Sequence, residues 1–461
     1  MNEAGRSSLW RSAAGIAALA WPILIGQLAT VANGVIDTAM TARSSVDDLA
    51  ALSIGISIYV SIFVGLNGVL QALAPVIGQL FGARELVRIG AKLKQALWLA
   101  LFLSGLGGAL LLHPAPLLGI ASAAPTLSAK ATLYLQIIAM ALPATLAFRI
   151  YSAFNNAIGK PKMVMTIQLC ALVLKIPLNT LFIFGGWGIP AMGGPGCAVA
   201  TTVITWSMLL CAWLVLRHAS VYRAFALFGS GWVRPHWQDL RDLLRLGIPM
   251  GLSYLIEVTA YTFMALFIAR LGAVAVAGHQ LTANFGTILY MLPLSIASAT
   301  GTLVARAIGA RHPAAAKQTG QAGILLAAAL VMPLGALIWF CRSRILHAYT
   351  DQTEVIAAAL PLFFFVAVYQ VFDAIQVIVA FTLRAYHVAV VPTILYAVAL
   401  WGCGLGGGYL IGLDPYQCMP TALHGAPGFW LANSLSIAMV ALALYLYLQR
   451  VQRQHAASYI V

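Results

Sequence analysis

The sequence predicts an all-α integral membrane protein with twelve transmembrane helices, arranged as two pseudo-symmetric six-helix bundles. Hydrophobic residues make up 61% of the 461 residues and charged residues only 8%, with a mean hydropathy of +0.91. Soluble domains carry about 25% charged residues. Twelve apolar stretches are long enough for the roughly 20 residues that a membrane span needs. The two halves of the chain also match each other at a constant offset, at which Pro22 corresponds to Pro249.

The twelve predicted spans divide evenly between the halves of the chain. In the first half they lie at about 15–42, 47–81, 90–112, 126–152, 163–184 and 195–217. In the second half they lie at about 242–270, 275–309, 319–341, 353–381, 389–413 and 427–449. Helices are expected because no stretch shows the roughly ten-residue alternation of membrane β-strands. Kinks or breaks are expected at prolines inside these spans, namely Pro22, Pro75, Pro143, Pro177, Pro249, Pro293 and Pro361.

The distribution of lysine and arginine predicts the orientation. One set of loops holds 20 of the 26 basic residues, the opposite set holds five, and Lys175 falls inside a span. By the positive-inside rule, both termini are cytoplasmic and the number of spans is even. We predict an N-terminal lobe at 1–217, a cytoplasmic linker at 218–241 and a C-terminal lobe at 242–461.

Composition and short motifs argue against several other classes. The net charge of +14 does not indicate nucleic-acid binding, because the basic residues are scattered over short loops. The six cysteines form no CxxC pair, so neither a disulfide framework nor a cofactor-type metal site is indicated. An intramembrane protease is the enzymatic alternative. The contexts "VIDT", "VFDA" and "GLDP" lack a GxGD pattern, and GxSG and HExxH are absent, so we expect a non-enzyme.

Three acidic residues break the internal repeat. Asp37, Glu257 and Asp373 lie inside spans, and the offset of the repeat places Met264, Thr30 and Leu146 at the matching positions. A structural role shared by both lobes would predict acids in both. An ionised carboxylate at the bilayer centre costs at least about 2.5–3.5 kcal/mol on insertion scales. The asymmetry therefore favours a functional role over a structural one.

The two acids of the second half have oxygen-bearing neighbours at helical spacing. Tyr369 lies one turn before Asp373, Gln376 lies three residues after it, and Tyr261 lies one turn after Glu257. Buried carboxylates bind and release charge, so Glu257 and Asp373 are predicted to bind a hard monovalent cation, with Na⁺ as the metal, or a shared proton. The alternative is a structural network capped by tyrosine hydroxyls.

Asp37 lies in the first half, and its predicted partner is Lys175, since a lysine inside a membrane is itself costly. If they pair, the first lobe holds a switchable ion pair rather than a free acid. Further polar and aromatic side chains are candidates for lining a substrate cavity, although hydrogen bonding between helices explains the polar ones equally well. These candidates are Gln27, Asn33, Asn179, Lys175, Asn284, Phe285, Tyr261 and Gln376. His279 is expected to be a packing residue.

Several motifs then resemble one known family. They are "AWPILIGQLATVANGVIDTAM", "QLFGAR", "IPLNTLFIFG" and "GGPGCAVAT" in the first half, and "LGIPMGLSYLIEVT", "AGHQLTANF" and "YQVFDAIQ" in the second. The chain resembles multidrug and toxic compound extrusion (MATE) transporters, and "EVT" with "DAIQ" resembles the NorM-like branch. The family usually has an asparagine where Lys175 stands, and a glycine where Ala385 stands.

The resemblance implies a two-lobed antiporter that exports cationic, often aromatic drugs in exchange for Na⁺ or H⁺. Carried over by motif, Glu257 and Asp373 with Tyr369 look like the cation site of the C-terminal lobe. Asp37 looks like the acid of the N-terminal lobe, with Asn179 as its polar partner. We expect a monomer in the bacterial inner membrane, without a resident cofactor. A lipid-linked saccharide flippase of the same superfamily is the alternative, although such a protein would need more cavity cations than Lys175 and Arg149.

Overall fold

The computed structural model describes residues 3–121, 125–228, 231, 233–415, 420 and 423–457. Side chains in 3–8, in 119–121 and at 125 lie outside this description. Within the described residues, twelve helices are long and apolar enough to span a membrane. They coincide with the twelve predicted spans, and their ends differ from the predicted ones by up to eight residues.

The helices follow one another with short connections. Those up to residue 228 are α1 (Glu3–Ala42), α2 (Val46–Leu70), α3 (Leu73–Gly82), α4 (Leu86–Leu112), α5 (Ala115–Ala121), α6 (Pro125–Ala157), α7 (Pro161–Phe184), α8 (Gly194–His218) and a 3₁₀ helix (Ser220–Phe225). The remaining ones are α9 (Trp237–Ala269), α10 (Ala273–Gly309), α11 (Pro313–Tyr349), α12 (Thr353–Ala359), α13 (Leu362–Ala385), α14 (Val390–Tyr396), a π-helix (Ala397–Gly406), α15 (Gly407–Gly412) and α16 (Ala426–Ala457).

Prolines affect these helices in two ways. Pro75 stands in the first turn of α3 and Pro361 at the N-cap of α13, and at both positions one predicted span is divided into two helices. Pro lacks the amide hydrogen that continues a helix, which explains why a new helix begins there. The other five predicted prolines lie inside continuous helices, together with Pro333 of α11.

The chain forms two compact units, Ile25–Gly251, here the N-terminal unit, and Met1–Leu24 with Leu252–Val461, here the C-terminal unit. Helices α1 and α9 each contribute to both units, and their crossing points come just after Pro22 and Pro249. These two prolines are equivalent residues of the sequence repeat, so both helices cross at the same point of the repeat. The predicted lobes 1–217 and 242–461 describe the repeat rather than these packing units, and they stay a prediction.

The N-terminal unit has one large apolar core. It combines side chains of α4 and α6 with the first part of α9, where Leu243 is buried. Helix α9 passes close to α2, because a methyl group added to Gly251 would lie 2.8 Å from the carbonyl oxygen of Gly65. In the C-terminal unit, Ile16 and Ala20 of α1 pack against Ile296 of α10. These contacts explain why α1 and α9 are divided between the units.

The repeated Gly-Ala-Arg sequence forms the same helix end in both halves. Arg84 after α3 and Arg311 after α10 both adopt a φ of 60°. In each case the next residue's amide donates to the carbonyl oxygen five residues earlier, at 2.9 Å. This backbone bond is the Schellman arrangement, which pairs carbonyl groups that a helix end leaves free. The sequence repeat therefore corresponds to a repeat of local structure.

Gly196 of the "GGPGCAVAT" motif packs so closely against another helix that a larger residue would not fit. This close packing leads to a first prediction. A methyl group added to Gly196 of α8 would lie 2.6 Å from the carbonyl carbon of Phe182, which is backbone and cannot rotate away. Gly105, on an exposed face of α4, has open space around it. Gly196→Ala is expected to destabilise the protein by about 1–3 kcal/mol. Gly105→Ala is expected to stabilise it by about 0.5–1 kcal/mol, since alanine favours helix.

Unfolding of the two purified variants in detergent, followed by circular dichroism against increasing dodecyl sulfate, measures both changes. Equal stability of Gly196→Ala and the wild-type protein would show that α8 can shift away from Phe182.

Candidate functional site

The N-terminal unit contains a buried ion pair. Asp37 on α1 and Lys175 on α7 lie with Oδ1 and Nζ 2.8 Å apart, and their side chains are 13% and 2% exposed. The pairing predicted from the sequence is therefore present. Lys175 also donates to the hydroxyl of Thr201 on α8, at 2.6 Å, so three helices meet at this ammonium group.

Asn179 completes the surroundings of Asp37. It lies one turn after Lys175 on α7, so both side chains share a helix face. Its Nδ2 donates to Asp37 Oδ1 at 2.8 Å, which gives this oxygen two donors. The Oδ1 atoms of Asn179 and of Asn33, one turn before Asp37, are buried and accept no hydrogen bond from any described residue. Both amides therefore retain the capacity to accept from a polar ligand, as expected of cavity residues.

The C-terminal unit holds the second acidic site, which we define as Glu257, Asp373, Gln376 and Tyr396 and call the carboxyl site. Asp373 on α13 is 2% exposed and accepts a hydrogen bond from Gln376 Nε2 at 2.8 Å. The hydroxyl of Tyr396 on α14 donates to Oε1 of the same glutamine. This second bond sets the direction of the amide, so that its NH₂ group points at Asp373.

Glu257 on α9 belongs to the same site. It is half-buried, and it interacts electrostatically with Asp373 and with Arg384. No ion pair within 4.0 Å involves Glu257 or Asp373 among the described residues. The two acids therefore differ from Asp37, because no lysine or arginine neutralises them by direct contact. A buried carboxylate without such a partner is stable only when it binds a proton or another cation.

Aromatic rings enclose the carboxyl site on one side. Tyr369, one turn before Asp373, packs edge-to-face with Tyr261, with centroids 6.3 Å apart. It packs in the same way with Trp430 of α16, at 6.2 Å. Trp430 in turn donates from Nε1 to His279 at 3.2 Å, which agrees with the packing role predicted for this histidine. The three rings of Tyr261, Tyr369 and Trp430 therefore form one aromatic cluster next to Asp373 along α13.

Two residues in or near the carboxyl site are not predicted from the sequence, namely Arg384 and Tyr396. The charge pattern places Arg384 in a loop, but α13 continues to Ala385 and Arg384 is only 6% exposed. Its Nη1 donates to the hydroxyl of Tyr254 at 3.0 Å, and the guanidinium also lies over the Tyr254 ring. Tyr396 is the second such residue. The helical pattern continues through "FTLRA" and could have indicated that Arg384 belongs to the helix. Nothing in the local sequence distinguishes Tyr396 from other tyrosines.

The remaining cavity candidates have different surroundings. Asn284 of α10 is exposed and accepts a hydrogen bond from Gln280 at 3.3 Å. Phe285 stacks on Phe363, with centroids 5.4 Å apart. Gln27 is half-buried on α1. The structure thus joins Asp37 with Lys175 and Asn179, and Asp373 with Gln376. The role of every candidate as a substrate-cavity residue remains a prediction.

The fold and the two acidic sites define a class of protein, a multi-pass helical membrane protein that holds ionisable groups inside its helical units. The sequence profile of the MatE family matches residues 22–181 and 249–410, so the two matches begin at the equivalent prolines of the repeat. The chain belongs to the MatE family.

Similar proteins agree with this assignment. The chain is 41% identical to "Probable multidrug resistance protein NorM" of Aromatoleum aromaticum, over 94% of this chain and 92% of that protein. It is 35% identical to "Multidrug resistance protein PmpM" of Pseudomonas aeruginosa, over 95% and 91%. A crystal structure of the Vibrio cholerae MATE transporter VcmN in the bent form has the same fold, with a TM-score of 0.84 and 20% identity over 97% of this chain and 99% of that chain.

Proposed function

We propose that this protein is a multidrug efflux transporter that exports cationic, often aromatic compounds in exchange for Na⁺ or H⁺. The observation that carries the proposal is the carboxyl site. Asp373 is almost fully buried, accepts a hydrogen bond from a glutamine amide, and forms no ion pair with any described residue. The multidrug resistance names of its relatives, at 31–41% identity, support the substrate class.

The chemistry of the carboxyl site suits a small hard cation or a proton. Glu257 and Asp373 supply carboxylate oxygens, and Tyr396 and Tyr369 place phenolic oxygens in the same region of the unit. Oxygen ligands of this kind bind hard cations. The described residues contain no group of three or more histidines, cysteines and acids, which a transition metal would favour. In this proposal the coupling ion is transported cargo, taken up and released in every cycle.

Coupling requires that the ion favours one state of the transporter and the drug another. A ligand shifts such an equilibrium only through its different affinity for the two states. Uptake of Na⁺ or H⁺ lowers the negative charge of the carboxyl site and favours its burial, whereas an empty site carries more charge, which water or a cationic drug stabilises. Helices α1 and α9 leave one unit for the other just after Pro22 and Pro249, and a proline inside a helix provides a hinge.

Orientation and location follow from the same proposal. The lysine and arginine distribution supports cytoplasmic termini. The bacterial relatives support the inner membrane. We propose a monomer as the working unit. The flippase alternative would need unpaired cations in a cavity. Lys175 is instead neutralised by Asp37, and Arg149 lies over the ring of Phe63 at 5.5 Å.

Ethidium efflux from vesicles that contain the purified protein tests the coupling. We expect efflux to accelerate when either an inward Na⁺ gradient or an inward H⁺ gradient is imposed, and to stop when that gradient is collapsed with an ionophore. The gradient that drives transport identifies the ion, and vesicles without protein provide the background. Efflux that responds to neither gradient would contradict antiport, even if ethidium still crossed by facilitated diffusion.

A further inference from the structure

A cavity with two basic side chains in its lining lies in the C-terminal unit and shares no residue with the carboxyl site. It has a volume of about 250 Å³ and opens between the start of α11 and the end of α16. Its charged lining residues are Lys317 and Arg453, and none of its lining residues is acidic. The distribution of basic residues predicts that this end of the helices faces the cytoplasm. The cavity is therefore positively charged and lies at the predicted level of the inner-leaflet headgroups.

One buried side chain in this cavity has no partner. Gln452 of α16 is 9% exposed, lines the cavity, and forms no hydrogen bond with any other described residue. An amide in that position retains two donors and an acceptor. A polar headgroup in the cavity can therefore bond to this amide without displacing a partner within the protein. Gln321 and Gln449 add two further amides to the same lining.

The apolar residues beside the cavity indicate what kind of anion binds. Leu446 lies two helical turns before Arg453 on α16 and Leu442 lies one turn further, which places all three on one helix face. Both leucines are more than half exposed, as is Leu325, one turn beyond Gln321 on α11. From Arg453 to Leu442 the helix rises about 16 Å, close to half of the hydrocarbon thickness of a bilayer. A charged pocket that continues into an exposed apolar strip matches a phospholipid.

We propose that this cavity binds the phosphate group of an anionic phospholipid, whose acyl chains lie along Leu442, Leu446 and Leu325. Lys317 and Arg453 contact the phosphate oxygens, and Gln452 donates to the same headgroup. Basic pockets between transmembrane helices on the cytoplasmic side bind anionic headgroups in this way. The site is independent of the efflux activity proposed above, since it shares no residue with the carboxyl site or with the Asp37–Lys175 pair.

Native mass spectrometry of the detergent-purified protein tests this inference. Phosphatidylglycerol is added in one arm, phosphatidylcholine in a second, and inorganic phosphate in a third. We expect retained phosphatidylglycerol at the lowest concentration, and a loss of about tenfold in affinity for Lys317→Gln, because a hydrogen bond to a charged group is removed. Gln452→Leu is expected to weaken binding of phosphatidylglycerol without unfolding the protein.

The matched control is Arg450→Gln. Arg450 is an exposed arginine on the same helix that does not line the cavity, so this variant is expected to bind phosphatidylglycerol as the wild-type protein does. Equal losses in Lys317→Gln and Arg450→Gln would overturn the site in favour of general surface charge. Binding of inorganic phosphate without phosphatidylglycerol would overturn the lipid assignment and identify a free anion as the ligand. Comparable retention of phosphatidylcholine would also contradict the proposal.

Discussion

Asp373→Asn is expected to cause a large loss of gradient-driven ethidium efflux. Asparagine has nearly the same shape as aspartate, and the site around it stays filled, so the fold should be retained. The change removes one of the two carboxylates to which the coupling ion is proposed to bind. Coupling free energies between two ligands typically correspond to a 5- to 150-fold effect, so the expected loss of driven efflux is about 10- to 100-fold.

The same vesicle assay provides the measurement and its controls. Glu257→Gln removes the second acid of the carboxyl site and should show a similar loss. Glu354→Gln removes an exposed acid at the start of α12 and should transport normally. Binding of ethidium in detergent, measured by fluorescence anisotropy, separates the two possible defects, since a coupling defect leaves binding intact. Full gradient-driven efflux in Asp373→Asn would remove this residue from the mechanism.

Lys175→Met is expected to cause the largest loss of stability. Methionine keeps most of the length of the side chain but leaves Asp37 buried and without its cation. Breaking a buried ion pair by removing one partner costs about 3–5 kcal/mol. The double variant Asp37→Asn/Lys175→Met contains no charge at this place, and we expect it to recover part of the loss. Denaturation in dodecyl sulfate, analysed as a double-mutant cycle, measures the coupling between the two residues.

An exposed ion pair serves as the control for that cycle. Arg88 and Glu85 form an ion pair in which both side chains are well exposed, so Arg88→Met should cost less than about 1 kcal/mol. If Lys175→Met costs no more than Arg88→Met, the Asp37–Lys175 pair contributes nothing to stability and its role lies elsewhere. If the double variant is no more stable than Lys175→Met, the lost free energy comes from packing and not from the charge left behind.

The carboxyl site illustrates which features could be predicted. Gln376 lies three residues after Asp373 on one helix, and regular helix geometry alone brings such residues together. Tyr396 comes much later in the chain, beyond a turn, and no local pattern indicates that its hydroxyl orients the Gln376 amide. The sequence misplaces Arg384 for a related reason, because helix ends are uncertain by several residues and one further turn of α13 buries its guanidinium.

Composition and periodicity by themselves determined that this chain is a twelve-span helical membrane protein built from a repeat. They did so because a bilayer imposes a length and a polarity on every segment separately. They also identified Asp37, Glu257 and Asp373, since a charge inside an apolar stretch is conspicuous without any knowledge of neighbours.

Only the tertiary structure decided what neutralises each charge. Asp37 is paired with a lysine from another helix, whereas Glu257 and Asp373 have no such ion pair among the described residues. It also decided that α1 and α9 are divided between the two units, and that Gln452 lies in a basic cavity without a hydrogen-bond partner among the described residues. Each of these facts depends on contacts between helices far apart in the chain. The free energy of such a contact depends on both helices together, so the sequence of either helix alone does not reveal it.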